Sequence, residues 1–395
     1  MTHVSGRHFL QIPGPSPVPD RVLRAMSAQV IDHRSPEFGE LGLRALAAIK
    51  TIFKTEQDVI IYPSSGTGAW EAALANVLRE GDKVLMYETG HFATLWKKMA
   101  EKLGVEAEFI GGDWRSGADP DQIETRLRAD TGHEIKAVCV VHNETSTGSV
   151  SPIAEVRQAI DAAGHPALLM VDTISGLASI DFRFDEWGVD VAVSGSQKGL
   201  MLPPGISFNA VGAKALAAAK AGGARRSYWD WEEMLGINGK GYFPYTPATN
   251  MLYGLIDAID MLHEEGLETV FARHQRHAAA TRAAVDAWGL EVLCNRQGQE
   301  SGVLTGVLMP EGHGADNFRA VALKHYNISL GSGLSKVADK VFRIGHLGDI
   351  NDLTLIGALS GVEMGLGKAG VPHEKGGVGV AMRYLESTPA PGIDA

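Results

Sequence analysis

The sequence predicts an α/β fold, with a large layer built on a mostly parallel sheet and a smaller C-terminal α+β layer. Between residues 55 and 215, short β-rich apolar runs alternate with amphipathic helical segments, the pattern of a βα-wound sheet. From about residue 250 the texture changes, and two long helical stretches lead into short strands. The 395 residues, 45% hydrophobic and 21% charged, are enough for a large domain and a smaller one.

Each element follows from its local pattern. Residues 1–20 read as an N-terminal arm, because MTHVSGRHFLQIPGPSPVP has no apolar core ahead of a cleavage site. The strands are DVIIYPSS (58–65), KVLMYETG (83–90), IKAVCVVHNETSTG (135–148), ALLMVDTISG (167–176) and VDVAVSGSQK (189–198). GISFNAVG (205–212) is expected to return as an antiparallel neighbour. Between them, residues 68–81, 92–104 and 153–164 show helical spacing, and each segment ends on glycine. Residues 251–266 and 269–289 read as the long helices, while LEVLC, SGVLTGVLMP and KVFRIGHLG read as strands. The expected division is a large domain over 21–262 and a small one over 263–395.

Charge narrows the choice of partners. A formal net charge of -11 argues against nucleic acid or an anionic membrane surface. Two cysteines, Cys139 and Cys294, support neither a disulfide framework nor a zinc site, and no apolar stretch is long enough to span a bilayer. The expected location is the cytoplasm. His274 and His277 share a helix face at metal-like spacing, but no second ligand pair accompanies them, so a solvated face is expected and no metal. Tyr228, Trp229 and Trp231 read as core or as a lid over a neighbouring site.

The apolar runs share one regularity: each gives way at its carboxyl end to small or polar residues. These are Ser64-Ser65-Gly66, Thr89-Gly90-His91, His142-Asn143-Glu144-Thr145, Asp172-Thr173 and Ser196-Gln197-Lys198. The carboxyl ends of parallel strands lie on one edge of an open sheet, where ligands bind, so the five clusters should converge. Lys198 stands alone between two apolar segments. Such a lysine either snorkels from a strand end into water or is desolvated and forms Schiff bases. SSGTGAWEAAL is a strand–turn–helix unit that can present backbone N–H groups and hydroxyls to an anion, though glycine-rich turns before helices are common. It lacks the third glycine of a dinucleotide fingerprint and the lysine of a phosphate-binding loop. Asp172 either caps a helix or pairs with a ligand. Phe92 reads equally as core or as a ring-stacking residue, and Thr145 as a turn or as a donor to a ligand oxygen.

With those stretches, IPGPSPVP, DHRSPEF, YFPYTPAT and KVFRIGHLGD complete a pattern running from residue 12 to about 350. The chain resembles the class V, fold-type I pyridoxal-phosphate aminotransferases, and within them the serine–glyoxylate and alanine–glyoxylate group. The resemblance implies pyridoxal 5'-phosphate as cofactor and a role for each matching residue. Ser65, Gly66 and Thr67 would bind phosphate, Phe92 would stack on the ring, Thr145 would contact the cofactor and Gln197 would support the phosphate end. Asp172 would pair with the pyridine nitrogen, and Lys198 would be the Schiff-base lysine. Arg343 would clamp the substrate α-carboxylate, a task that suits its two parallel donors. Thr246 would reach the neighbouring subunit's phosphate, and His33 and Arg34 would approach the site from the partner chain, which implies a homodimer with composite sites, or a tetramer. Phe92 stands where the family often has Trp, and Phe243 where it often has Tyr, so Phe243 cannot donate to phosphate; Tyr242 is the available substitute. The expected reaction is ping-pong transamination of glyoxylate to glycine, with L-serine as donor giving hydroxypyruvate. Alanine or aspartate donors remain open, as does a class V lyase such as a cysteine desulfurase, which would need a reactive thiol on a mobile loop. A cofactor-binding gene regulator and a nicotinamide dehydrogenase fit less well, for want of a basic domain and of a third glycine.

Overall fold

The computed structural model describes residues 5–392. Its centre is a seven-stranded sheet in the spatial order Asp58–Tyr62, Ser207–Val211, Val191–Gly195, Leu168–Asp172, Ile135–Val141, Lys83–Tyr87 and Glu106–Ile110. Ser207–Val211 runs antiparallel to both neighbours, and the other pairings are parallel. The five strands expected from the apolar runs are present, as is the antiparallel return. Buried Val, Ile, Leu and Met fill both faces of the inner strands, and helices cover them, as a parallel sheet requires. Helices Gly66–Val77, His91–Lys102 and Ile153–Ala162 follow their strands closely. Gly104 and Gly164 lie just beyond two of these helices at φ +78° and +62°, the left-handed conformation that ends a helix.

Glu106–Ile110 was not apparent in the apolar pattern. It is an edge strand, its residues are exposed or half-buried, and EAEFI has too little apolar character to stand out.

A second, five-stranded sheet has the order Phe9–Gln11, Ile328–Ser332, Val341–Gly345, Leu304–Leu308 and Glu291–Val292. Helices Leu267–Ala287, Ala315–Tyr326, Asp352–Lys368 and Gly377–Ser387 pack with it around Trp288, Phe318, Phe342 and Leu359. The chain's first strand belongs here, since Phe9–Gln11 pairs in parallel with Ile328–Leu330. From that strand the backbone crosses to the large sheet, where Ser16 donates its N–H to the Gln197 carbonyl and its hydroxyl to the Lys198 carbonyl.

His274 and His277 depart from expectation. Both are buried rather than on a solvated face. His274 Nδ1 donates to the Val270 carbonyl and Nε2 accepts from the Gly348 N–H, while His277 Nε2 lies 3.0 Å from Asp352 Oδ1. The helix is sandwiched, so the face that carries them meets protein, where all but the Nδ1 of His277 finds a partner. Among the described residues no cluster of metal-ligating side chains occurs, and no helix is long and apolar enough to cross a membrane. Trp231 is fully buried, whereas Tyr228 is partly exposed and stacks on Tyr245 at 4.9 Å.

At Gly345 the N-terminal crossing passes close to the second sheet. A Cβ there would lie 2.2 Å from the Ile12 carbonyl oxygen and 3.0 Å from Pro13 N, both backbone atoms. Gly345→Ala is expected to destabilise the protein by about 1–3 kcal/mol through this overlap. Thermal unfolding of the variant beside the wild type checks it, and an unchanged melting temperature would show that the crossing segment is free to move aside.

Candidate active site

The carboxyl ends of the large sheet's parallel strands lie on one edge and enclose a cavity. Eight of the residues singled out in the sequence line it together: Ser65, Gly66, Thr67, Phe92, Thr145, Asp172, Gln197 and Lys198. Trp70, Ile174 and Ser175 complete the lining. His142 does not contribute; it is buried against Phe182, ring centroids 5.6 Å apart.

Asp172 ends the central strand Leu168–Asp172 and is almost wholly buried. Oδ1 accepts the Ile174 N–H at 2.7 Å and Oδ2 accepts Trp70 Nε1–H at 3.1 Å. Burial pushes its carboxyl up to about 7, against the pull of the Ile174 bond; nearby Glu144 adds to the rise, and Trp70 and Lys198 offset it. Lys198 follows the next strand, Val191–Gly195, and its Nζ donates to the Pro13 carbonyl at 2.5 Å. Burial lowers the ammonium to about 8, with the Arg343 charge adding to the shift and Asp172 opposing it. The amine is therefore neutral in part near neutral pH, the state a nucleophile or base requires. This lysine does not snorkel into open water.

Helix Gly66–Val77 starts at the cavity. Its N-cap, Ser65, makes no side-chain capping bond, so the positive end of the helix faces the space. Gln197 Oε1 is buried nearby without a hydrogen-bond partner. Thr145 Oγ1 donates to Ser175 Oγ at 2.8 Å, so its hydroxyl is held within the lining. Arg343 comes from the second sheet, on strand Val341–Gly345. It is 7% exposed, and two of its donors are fixed: Nε to the Ser332 carbonyl at 2.8 Å and Nη1 to the Thr145 carbonyl at 2.7 Å. Nη2 has no such anchor and can receive an anion. Burial brings the guanidinium down to about 10.

His33, Arg34 and Thr246 do not join this group. They line a separate open cleft of ≈ 800 Å³ with Tyr242, Phe243 and Tyr245, and no residue is shared with the Lys198 cavity. The Tyr242 hydroxyl donates to the Ser35 carbonyl at 3.2 Å. Both cysteines are buried; the Cys139 thiol is pushed well up, and burial pushes Cys294 to about 11. Neither resembles an activated thiol.

The lining suits pyridoxal phosphate. It offers a helix N-terminus and an unpartnered amide for the phosphate, a buried carboxylate for a ring nitrogen, an aromatic side chain for a ring face and a partly neutral lysine for an aldehyde. Sequence reasoning passed over Trp70, Ile174 and Ser175. Trp70 had a signal, since it lies four residues after Gly66 and so on the same helix face. Ile174 had one too, because an aspartate commonly accepts the N–H two residues on.

A family model described as "Aminotransferase class-V" matches residues 8–346. The chain is 50% identical to the serine–glyoxylate aminotransferase of Methylorubrum extorquens over 98% of each protein. It is 43% identical to the L-aspartate–glyoxylate aminotransferase of Paracoccus denitrificans over 96% of each. Among solved structures, pyridoxamine–pyruvate aminotransferase from Mesorhizobium loti superposes with a TM-score of 0.91 at 26% identity, over 97% of this chain and 98% of that one.

The charges around Lys198 make opposite predictions for two substitutions. Arg343→Met removes a cation that disfavours the ammonium and should raise the Lys198 pKa from about 8. Asp172→Asn removes an anion that favours it and should lower the pKa further. Reductive methylation of Lys198 across a pH series, read by mass spectrometry of the unliganded protein, reports the midpoint. Shifts of the same sign in both variants would refute the charge coupling.

Proposed function

Because this chain belongs to the class-V aminotransferase family, we propose that it transfers the amino group of L-serine to glyoxylate, giving hydroxypyruvate and glycine, with pyridoxal phosphate held in the Lys198 cavity. The observation that carries this reading is the meeting of Lys198, Asp172 and an uncapped helix N-terminus in one cavity, with Arg343 alongside. The cofactor, when bound, supplies an aldehyde that takes up amino groups and a ring that draws electrons from the substrate's Cα.

The protein's part is binding, orientation and proton transfer. Ser65, Gly66, Thr67 and Gln197 hold the phosphate. Phe92 would stack on the ring, and the Thr145 hydroxyl, held here by Ser175, would contact the cofactor. The Asp172 carboxylate would keep a proton on the ring nitrogen, and that cationic partner would stabilise its ionised form. Arg343 would hold the α-carboxylate and so align the Cα–H bond with Lys198 Nζ, which would accept the Cα proton and pass it to the cofactor. Glyoxylate enters the same place in the second half of the cycle.

His33, Arg34 and Thr246 belong, in this reading, to the site of a second copy of the chain. Their place in a cleft separate from the Lys198 cavity of their own chain supports that assignment. The two buried, unpaired cysteines suit the cytoplasm. The division into a large domain over 21–262 and a small one over 263–395 is kept as part of the proposal, with the first strand docked on the small sheet.

Aspartate is the second donor to consider, because of the 43% identical L-aspartate–glyoxylate relative and because Arg34 can serve a distal carboxylate. A donor screen against glyoxylate with serine, alanine, aspartate and glutamate decides between them. Serine should give the highest kcat/KM; aspartate well ahead of it would replace the substrate assignment. The shared site has its own test. Lys198→Ala and Arg34→Ala proteins, each nearly inactive, are unfolded together and refolded as a mixture. Random pairing makes one complete site in each mixed dimer, so activity should recover to about a quarter of wild type. No recovery from well-refolded dimers would return Arg34 to the surface of its own chain.

A further inference from the structure

We propose that Glu144 is a positioning residue of the reaction: its carboxylate fixes the start of the Phe92 helix and thereby the ring that lies against the cofactor. The inference rests on the reading of the cavity given above. Glu144 does not line the cavity and is completely buried. It sits on the short strand Asn143–Glu144, held by pairing with Ser149–Val150.

The helix His91–Lys102 begins with Gly90, which has no side chain to cap it. Glu144 supplies the cap from another part of the chain. Oε1 lies 3.3 Å from the Phe92 N–H and Oε2 3.1 Å from the Ala93 N–H. Oε1 also accepts the Ser146 N–H at 3.1 Å and the Ser146 hydroxyl at 2.6 Å, and Ser146 Oγ in turn accepts the His91 N–H at 2.9 Å. Three consecutive amides at the helix start are thus tied directly or through Ser146 to one carboxylate. An anion at a helix N-terminus is favoured by the helix dipole as well as by these bonds.

The fit excludes a local cap. A Cβ at Gly90 would lie 2.4 Å from Ser146 Oγ and 2.5 Å from Glu144 Cγ, so Gly90 is bare where Glu144 enters. The next residue after Glu144 is Thr145, whose carbonyl anchors Arg343 Nη1 at 2.7 Å. One short segment therefore sets both the ring over the cofactor and the guanidinium that meets the substrate. Glutamine is a poor replacement, because its amide carries one acceptor oxygen where the carboxylate has two, and its NH₂ would face other donors.

The test measures coupling between Glu144 and Phe92 in cofactor binding. Pyridoxal phosphate is titrated into cofactor-free wild type, Glu144→Gln, Phe92→Leu and the double variant, following tryptophan fluorescence and the visible circular dichroism of the bound cofactor. Glu144→Gln should raise the dissociation constant about tenfold and weaken the dichroism, while adding little in the Phe92→Leu background. An equal loss in both backgrounds, or none in either, overturns the positioning role. If Glu144→Gln does not fold, Ser146→Ala takes its place, with a loss of about threefold that again depends on Phe92. Wild-type protein that fails to bind pyridoxal phosphate overturns the cavity reading itself. Normal wild-type binding without coupling overturns only the part given to Glu144.

Discussion

Asp172 and Lys198 line one cavity with Glu144 and Arg343 packed beside it, so that two acidic and two basic side chains are drawn largely out of water together. Removing an ion from water costs several kcal/mol even after the protein relaxes, so such a group persists only where partners replace its hydration. Backbone N–H groups and hydroxyls replace it at the carboxylates, and backbone carbonyls at the cations. The remaining imbalance appears in the titration behaviour, with the Asp172 carboxyl raised and Lys198 and Arg343 lowered. The proton transfer proposed for Lys198 draws on that imbalance.

The fold supplies these partners from separate stretches of chain. Asp172 and Lys198 end adjacent strands of the large sheet, while Arg343 arrives on the second sheet opposite Gly331. The Pro13 carbonyl that receives Lys198 lies on the crossing between the sheets. No one of these contacts is unusual alone. Their joint placement requires both sheets and the crossing to be in register, so packing far from the cavity, such as that of Phe342 and Leu359, bears on the chemistry.

Much of this was legible in the sequence, for a physical reason. A strand that runs out into small and polar residues carries its own notice of a ligand-facing edge, and Ser65, Asp172 and Lys198 sit at such ends. The rest was hidden because it is relational. Glu144 looks like a turn residue until the N-terminus of a helix that starts 53 residues earlier is set against it. His274 and His277 carry the spacing of an exposed face, and only the packing of the Asp352 region and the Gly348 loop shows that they are enclosed. The three-residue strand Phe9–Gln11 is too short to show alternation, and its partner lies more than 300 residues away.

That last pairing has a consequence for how the protein is made. Phe9 is made 319 residues before Ile328, the residue opposite it. The Phe9–Gln11 segment must wait unpaired until the strand opposite it has been made. Contacts of such long sequence separation form slowly and leave strand edges open to wrong partners in the meantime. Because the same segment carries the Pro13 carbonyl to Lys198, that amine reaches its final surroundings only after the second sheet has formed. Completion of the surroundings of Lys198 is thereby tied to the assembly of both sheets.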